Sequence, residues 1–195
     1  MAYTPTATPL LATDPGVLFW TTLGSPIPTM TAAGGVFTDT WSSEWIALGA
    51  TVEGSTFNFQ TSFDTITVAE LLDPVKYVET GRTGSFAFAL ESITAANLKR
   101  ALNGGTIVKT GTGDTTVAKY TPPKSGQSTR CMIGWESQDS TERLIAYQCV
   151  NTGQVSIRRG KGTANATLPI EYGLELPQSG DPFGYWTAGA ARAGV

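Results

Sequence analysis

The chain contains no histidine. That removes the commonest general base and the commonest metal ligand. Ser and Thr are plentiful, but without histidine the usual serine triad is excluded. Charge is also scarce, at 15% of residues, and the formal net charge is -3. Such a balance leaves no electrostatic footprint for tight nucleic-acid binding. So few charges in a chain that is 41% hydrophobic exclude a disordered or coiled-coil protein. Cysteine occurs only at 131 and 149, which falls short of a zinc set. No apolar run approaches the ~20 residues of a membrane span. The opening "MAYTPTATPLLATDPG" lacks the basic stretch and apolar run of a secretory signal. The expectation is a soluble, non-secreted product that binds no membrane, and two cysteines in that setting read as free thiols.

What is present points to β structure. The length, 195 residues, suits one domain with a proper core, and 22 Gly with 11 Pro imply many turns. Residues 1–45 have no sustained period, and Pro5, Pro9, Pro15, Pro26 and Pro28 break any long helix or central strand. Yet this stretch carries Leu18, Phe19, Trp20, Phe37, Trp41 and Trp45, unlike a simple disordered tail. It reads as an N-terminal arm whose aromatics cover either the chain's own core or a neighbouring copy. A Gly-rich but aromatic C-terminal arm, 177–195, mirrors it. Between them lies a β core, 46–176.

Within that core, Thr56–Val68 alternates, with Phe57, Phe59 and Phe63 on one face and Asn58, Gln60, Ser62 and Asp64 on the other. "VEG" just before it reads as a turn. Ser85–Glu91 alternates likewise, Phe86, Phe88 and Leu90 against Ser85, Ala87, Ala89 and Glu91. A helix near 94–103 follows. Thr94 is its N-cap, Ile93 and Leu98 have the spacing of a hydrophobic staple, and Lys99 and Arg100 suit the last turn. Leu98, Ala101 and Leu102 form its buried stripe, and Asn103-Gly104-Gly105 stops it. Thr106–Pro123 reads as turn-rich with one short strand around Val117–Tyr120. Arg130–Trp135 and Arg143–Val150 read as a hairpin. A turn centred near Ser140 sets Trp135 against Ile145, Ile133 against Tyr147 and Cys131 against Cys149. The cysteines read as buried and free, with a disulfide as the alternative. The last core strand alternates through Leu168, Ile170, Tyr172, Leu174 and Leu176, and Pro169 marks an edge or an irregularity.

No chemistry emerges. Asp64, Glu70, Asp73, Glu79 and Glu91 have no spacing that holds two carboxylates at a working separation, so they read as surface charges. Gly111–Gly113, "GTG", lacks the lysine and helix of a phosphate loop. Arg158, Arg159 and Lys161 form the one basic cluster, open to nucleic acid or to an acidic patch of another subunit. The expectation is no catalytic group, no metal and no cofactor.

"WIALGATVEG" at Trp45–Gly54 and "ELLDPVKYVETGRTGSFAFALESITAANLKRALNGG" at Glu70–Gly105 carry a resemblance. In the order of these elements, over about residues 45–176, the chain resembles the major tail tube proteins of long-tailed, non-contractile bacteriophages. The resemblance implies a small β-sandwich or barrel-like core with one flanking α-helix. It implies six copies joined into a ring and rings stacked into a hollow tube in the virion tail, assembled in the host cytoplasm. The tube's partners are then itself, the tape-measure protein and other tail proteins, and DNA passes through without specific binding. By that likeness Asn58, Gln60, Ser62, Asp64, Ser85, Ala87, Ala89 and Glu91 line the lumen, where small, polar and mildly acidic groups do not grip phosphate. The loop Leu71–Gly84, with Asp73, Lys76, Glu79 and Arg82, reaches a neighbouring subunit. Trp20, Trp41, Arg158 and Arg159 are further contact candidates. Ring closure also removes the edges that long two-faced strands leave open. A second reading is a monomeric β-sandwich binding module, with Trp20, Trp41, Trp45 and Trp186 stacking on sugars.

Overall fold

The alternation along 56–64 and 85–90 does produce half-buried antiparallel strands, but the strands outrun the alternation. The computed structural model describes residues 16–68, 73–157 and 166–190. Strand β1 (Val17–Thr22) is followed by the short β2 (Ala32–Ala33), β3 (Val36–Phe37) and β4 (Ile46–Ala47). The long β5 (Thr51–Ile66) and β6 (Lys76–Leu90) lead to the helix α1 (Ala95–Ala101). Then come β7 (Thr106–Thr110), β8 (Val117–Thr121), β9 (Cys131–Glu136), β10 (Glu142–Asn151), β11 (Leu168–Leu174) and β12 (Phe183–Thr187). The protein is mostly β with one α-helix among the described residues, as its sequence predicts.

Eight strands form one sheet in the order β4-β1-β9-β10-β11-β6-β5, and β12 adds to β10. All these pairings are antiparallel. One edge of β10 is shared: β12 takes Glu142–Ala146 and β11 takes Cys149–Asn151. Leu18 and Ile133 from one side of the sheet bury in the same cluster as Phe86, Phe88, Leu168 and Tyr172 from the other. The sheet therefore curves onto itself around this main core cluster. Helix α1 covers that core with Ala101 and the half-buried Leu98. Thr94 caps it as expected, its hydroxyl accepting from the Asn97 amide at 3.1 Å. Leu102, expected in the buried stripe, is half-buried, and Asn97 takes the buried place. Asn97 is satisfied there, its Nδ2 donating to the Ser92 carbonyl at 2.8 Å.

The opposite face of the sheet is also covered. Trp45, Met132 and Ile145 bury there with Phe19, Met30, Trp41, Tyr147 and Trp186 against them. Gly134 makes this possible, because a Cβ on it would collide with the rings of Trp41 and Trp45. Of the stretch read as an N-terminal arm, residues 16–45 are described, and they are built into the body. Strand β1 lies paired on both edges between β4 and β9, and the segment after it carries Trp41 and Trp45 onto the sheet. Of the C-terminal stretch 177–195, β12 likewise pairs with β10.

Several local expectations are corrected. "VEG" is no turn: it lies inside β5, where the register shifts between Thr51 and Ser55 and Gly54 takes φ 77°. A bulge with a left-handed glycine uses the same residues a turn would. Residues 76–84, read as a loop, are strand, paired with Phe59–Ile66. Thr106–Pro123 contains a two-stranded hairpin rather than one strand, with β7 and β8 paired from Thr106↔Thr121 to Thr110↔Val117. In the β9–β10 hairpin, Trp135 faces Leu144 and Ile133 faces Ala146, one residue off the expected register. Cys131 still faces Cys149, because an irregularity between Ala146 and Cys149 inserts one residue into β10. That one-residue difference sends Ile145 and Tyr147 to the Trp45 face. Pro169 sits where β10 has ended, so one side of β11 has no ladder to lose there.

Candidate assembly surface

Strands β5 and β6 form a hairpin whose ladder runs from Thr51↔Leu90 to Ile66↔Lys76. Only its base is core. From Phe57↔Phe86 to Ile66↔Lys76 the strands advance nine residues, about 30 Å at ~3.4 Å per residue. Residues 58–66, apart from Thr61, and 76–83 are exposed. One side of this projection continues the core-facing side: Phe57↔Phe86, Phe59↔Gly84, Thr61↔Arg82, Phe63↔Glu79, Thr65↔Tyr77. The register shift after Ser62 leaves Thr80 as an extra residue of β6, which brings Glu79 and Tyr77 onto the same side as Phe86, Gly84 and Arg82, opposite Phe63 and Thr65. Phe57 and Phe59 rest on Phe183, at centroid distances of 4.9 and 5.0 Å. Gly84 leaves room for them, since a Cβ there would stand 3.1 Å from the Phe59 ring and from Leu174. Beyond that point the aromatic stripe is left largely open among the described residues: Phe59 is 38% exposed, Phe63 56% and Tyr77 63%.

The other side is small and polar over most of its length, with the exposed Val78 and Ile66 toward its tip. Asn58 lies opposite Ser85, Gln60 opposite Thr83, Ser62 opposite Gly81 and Asp64 opposite Val78. Ala87 stands between Thr56 and Glu171, and Ala89 opposite Pro169. Glu91 follows β6 directly and its amide donates to the Ala50 carbonyl at 3.1 Å. The eight residues read as lumen-lining thus fall along one continuous outer face. Glu53 and Glu171, both missed from sequence, edge a shallow groove of about 500 Å³ on it with Thr56, Ala87 and Ala89.

The contact candidates separate into three groups. Asp73 and Lys76 lie exposed at the far end of the hairpin, and Glu79 and Arg82 form an exposed ion pair on its aromatic side. Such pairs contribute little to stability. Trp20 and Trp41 are engaged within the chain. The Arg100 guanidinium lies 5.3 Å over the Trp20 ring, while Trp41 stacks on Phe19 at 4.4 Å and donates its indole N–H to Glu136. Arg158 and Arg159, like Glu70, lie outside the described residues.

Two groupings were not foreseen. Arg143, 1% exposed, pairs with Glu136 at 3.1 Å and with Asp39 at 3.0 Å. Read alone, each of these charges looks like a surface residue, and only the fold brings positions 39, 136 and 143 together. A second, smaller pocket of about 160 Å³ lies beside the C-terminal end of α1, lined by Trp20, Thr22, Lys99, Arg100, Thr129 and Arg130 among others.

Cys131 and Cys149 are free and buried. Burial pushes the Cys131 thiol up to about 12, and raises Cys149 further still. Neither sulfur is then a thiolate at ordinary pH. Both are expected to resist a thiol-specific disulfide reagent in native protein at mildly alkaline pH and to react fully in denaturant. Stoichiometric labelling of folded protein would show a more open core. Among the described residues no three His, Cys, Asp or Glu side chains gather as a metal site requires.

No family model matches this chain, and no curated protein does. Among solved structures, the chain is similar to the anti-feeding prophage cap, described as a tube-terminating cap. The TM-score is 0.37 and the identity 12%, over 96% of this chain and 97% of that one. A likeness of that depth carries no argument about fold or function.

Proposed function

We propose that this protein is a structural, non-enzymatic subunit of a phage tail tube. Copies form rings of six, and the rings stack into a hollow conduit that encloses the tape-measure protein and passes DNA. The observation that carries this reading is the β5–β6 hairpin, whose core-facing side extends past the chain's own core. An exposed stripe of Phe59, Phe63 and Tyr77 is costly to a monomer and finds its cover in a neighbouring copy. Strand β5 is also an edge strand sixteen residues long, which a neighbour's strand can extend. The sequence resemblance to tail tube proteins supports the same reading. On it, the small, polar, carboxylate-bearing outer face of β5, β6 and β11 faces the lumen. The binding-module reading is weaker, because the rings of Trp20, Trp41, Trp45 and Trp186, which it would stack on a sugar, pack against other groups of the chain.

Purified protein at high concentration, or mixed with its tape-measure partner, is expected to show rings or tubes in negative-stain images. Protein that stays monomeric under every such condition overturns the reading.

A further inference from the structure

Charge is scarce in this chain but strongly sorted. Residues 99–130 hold six basic side chains, Lys99, Arg100, Lys109, Lys119, Lys124 and Arg130, against Asp114 alone. These residues form one unit. Helix α1 packs on β7 and β8, the Tyr120 hydroxyl donates to the Gly104 carbonyl at 2.9 Å, and the Thr129 amide donates to the Asn103 carbonyl at 2.8 Å. Residues 51–91 have the opposite balance, six carboxylates against Lys76 and Arg82, and Arg82 is already tied to Glu79.

The basic unit contains a prepared receptor. Arg100 is half-buried, its guanidinium over Trp20 and its Nη1 donating to Asn97 Oδ1 at 2.6 Å. Burial holds its pKa below the ordinary arginine value, an effect that Tyr172 only partly offsets. Yet no carboxylate among the described residues forms an ion pair with it. Arg130, across the same pocket, is satisfied by Glu175 through two hydrogen bonds of 3.0 and 3.1 Å. A planar guanidinium, fixed in place and partly desolvated, binds a carboxylate with little further ordering cost. The pocket, about 160 Å³, has room for one acidic side chain and is well short of a small-molecule site.

We infer that this pocket receives a carboxylate from a second copy of the chain, and that Asp73 supplies it. The inference rests on the assembly reading given above. Asp73 is exposed, stands at the far end of the projecting hairpin, and forms no ion pair among the described residues. The contact joins two different patches, so it is head-to-tail, the kind that closes a ring or extends a filament. It also explains how copies of like net charge associate, since local complementarity opposes overall repulsion.

The test is charge reversal and its reciprocal. Arg100→Glu, Lys99→Glu and Asp73→Lys are each expected to raise the concentration needed for assembly about tenfold, since each puts like charges together. The double variants Asp73→Lys/Arg100→Glu and Asp73→Lys/Lys99→Glu are expected to return it to within about threefold of wild type. Assembly is read by sedimentation, and folding by thermal melting. Lys99 is exposed, so its reversal leaves the fold intact even if Arg100→Glu unfolds the chain. Single reversals that assemble like wild type, an Asp73→Lys protein that assembles normally while Arg100→Glu does not, or doubles no better than the singles overturn the inference. Wild-type protein that never assembles speaks instead against the tube reading.

Discussion

Replacing Phe63 and Tyr77 together with serine is expected to abolish assembly while leaving the monomer as stable as wild type. The two rings are 56% and 63% exposed, so in the isolated chain they bury little that serine would lose. The same rings are the most exposed aromatic groups on the projecting hairpin. Fully burying such a ring is worth about 1.5–3 kcal/mol. That term recurs at every subunit contact, and aromatic anchors of this kind carry most of the energy of an interface. Phe57 provides the internal control. It lies on the same side of β5 but packs on Phe86 and Phe183, so Phe57→Ala is expected to lower the melting temperature of the monomer. Negative-stain images and thermal melts of the three proteins separate the two effects. A Phe63→Ser/Tyr77→Ser protein that still forms tubes removes the stripe from the interface. One that melts well below wild type shows that the rings are covered within the chain.

The stripe was half legible in the sequence, and the reason is local. Phe57, Phe59 and Phe63 announce themselves by a period of two, and so do Phe86, Phe88 and Leu90, because each strand has one buried side at its base. Tyr77 and the rest of 76–84 do not. There the strand is exposed on both sides, so burial imposes no pattern, and Thr80 shifts the phase while Gly81 and Gly84 interrupt it. Long-range pairing with Phe59–Ile66 makes this segment a strand, which short-range signals do not report. The helix was legible for the opposite reason: its cap, staple and stop are all contacts within a few residues. β1 was hidden because "VLFWTT" has apolar groups on both sides, as a strand covered on both faces must. The Cys131↔Cys149 pairing came out as expected although the register around it did not, because the inserted residue in β10 offsets a turn one residue tighter than anticipated. The outer face and the hairpin side of the assembly surface therefore come from residue pattern. The basic pocket and the Arg143 cluster come from tertiary neighbours that no pattern announces.

That cluster sets the other large effect. Arg143→Met is expected to destabilise the protein by about 3–5 kcal/mol, the usual consequence of leaving buried charges without their partner. Arg143 holds Glu136 at 3.1 Å and Asp39 at 3.0 Å, and its Nη2 donates to the Asp39 carbonyl at 2.7 Å. Its guanidinium also lies 4.6 Å over Phe37 and 5.5 Å over Trp41. One side chain thus ties β9 and β10 to the 37–41 segment, which carries the aromatic layer over the second face of the sheet. Without it, two largely buried carboxylates face an apolar thioether and each other, and the segment loses its anchor. The melting temperature is expected to fall by about 10 °C, and amides near 37–41 to lose hydrogen-exchange protection first. Adding Asp39→Asn and Glu136→Gln to Arg143→Met is expected to recover much of the loss, because the penalty lies in the unpaired charges more than in the missing attraction. Arg143→Lys should fall between, keeping the charge but not the planar fork that serves both carboxylates and both rings. An Arg143→Met protein melting within about 2 °C of wild type would mean that the cluster is solvated and the 37–41 segment is held by its aromatics alone.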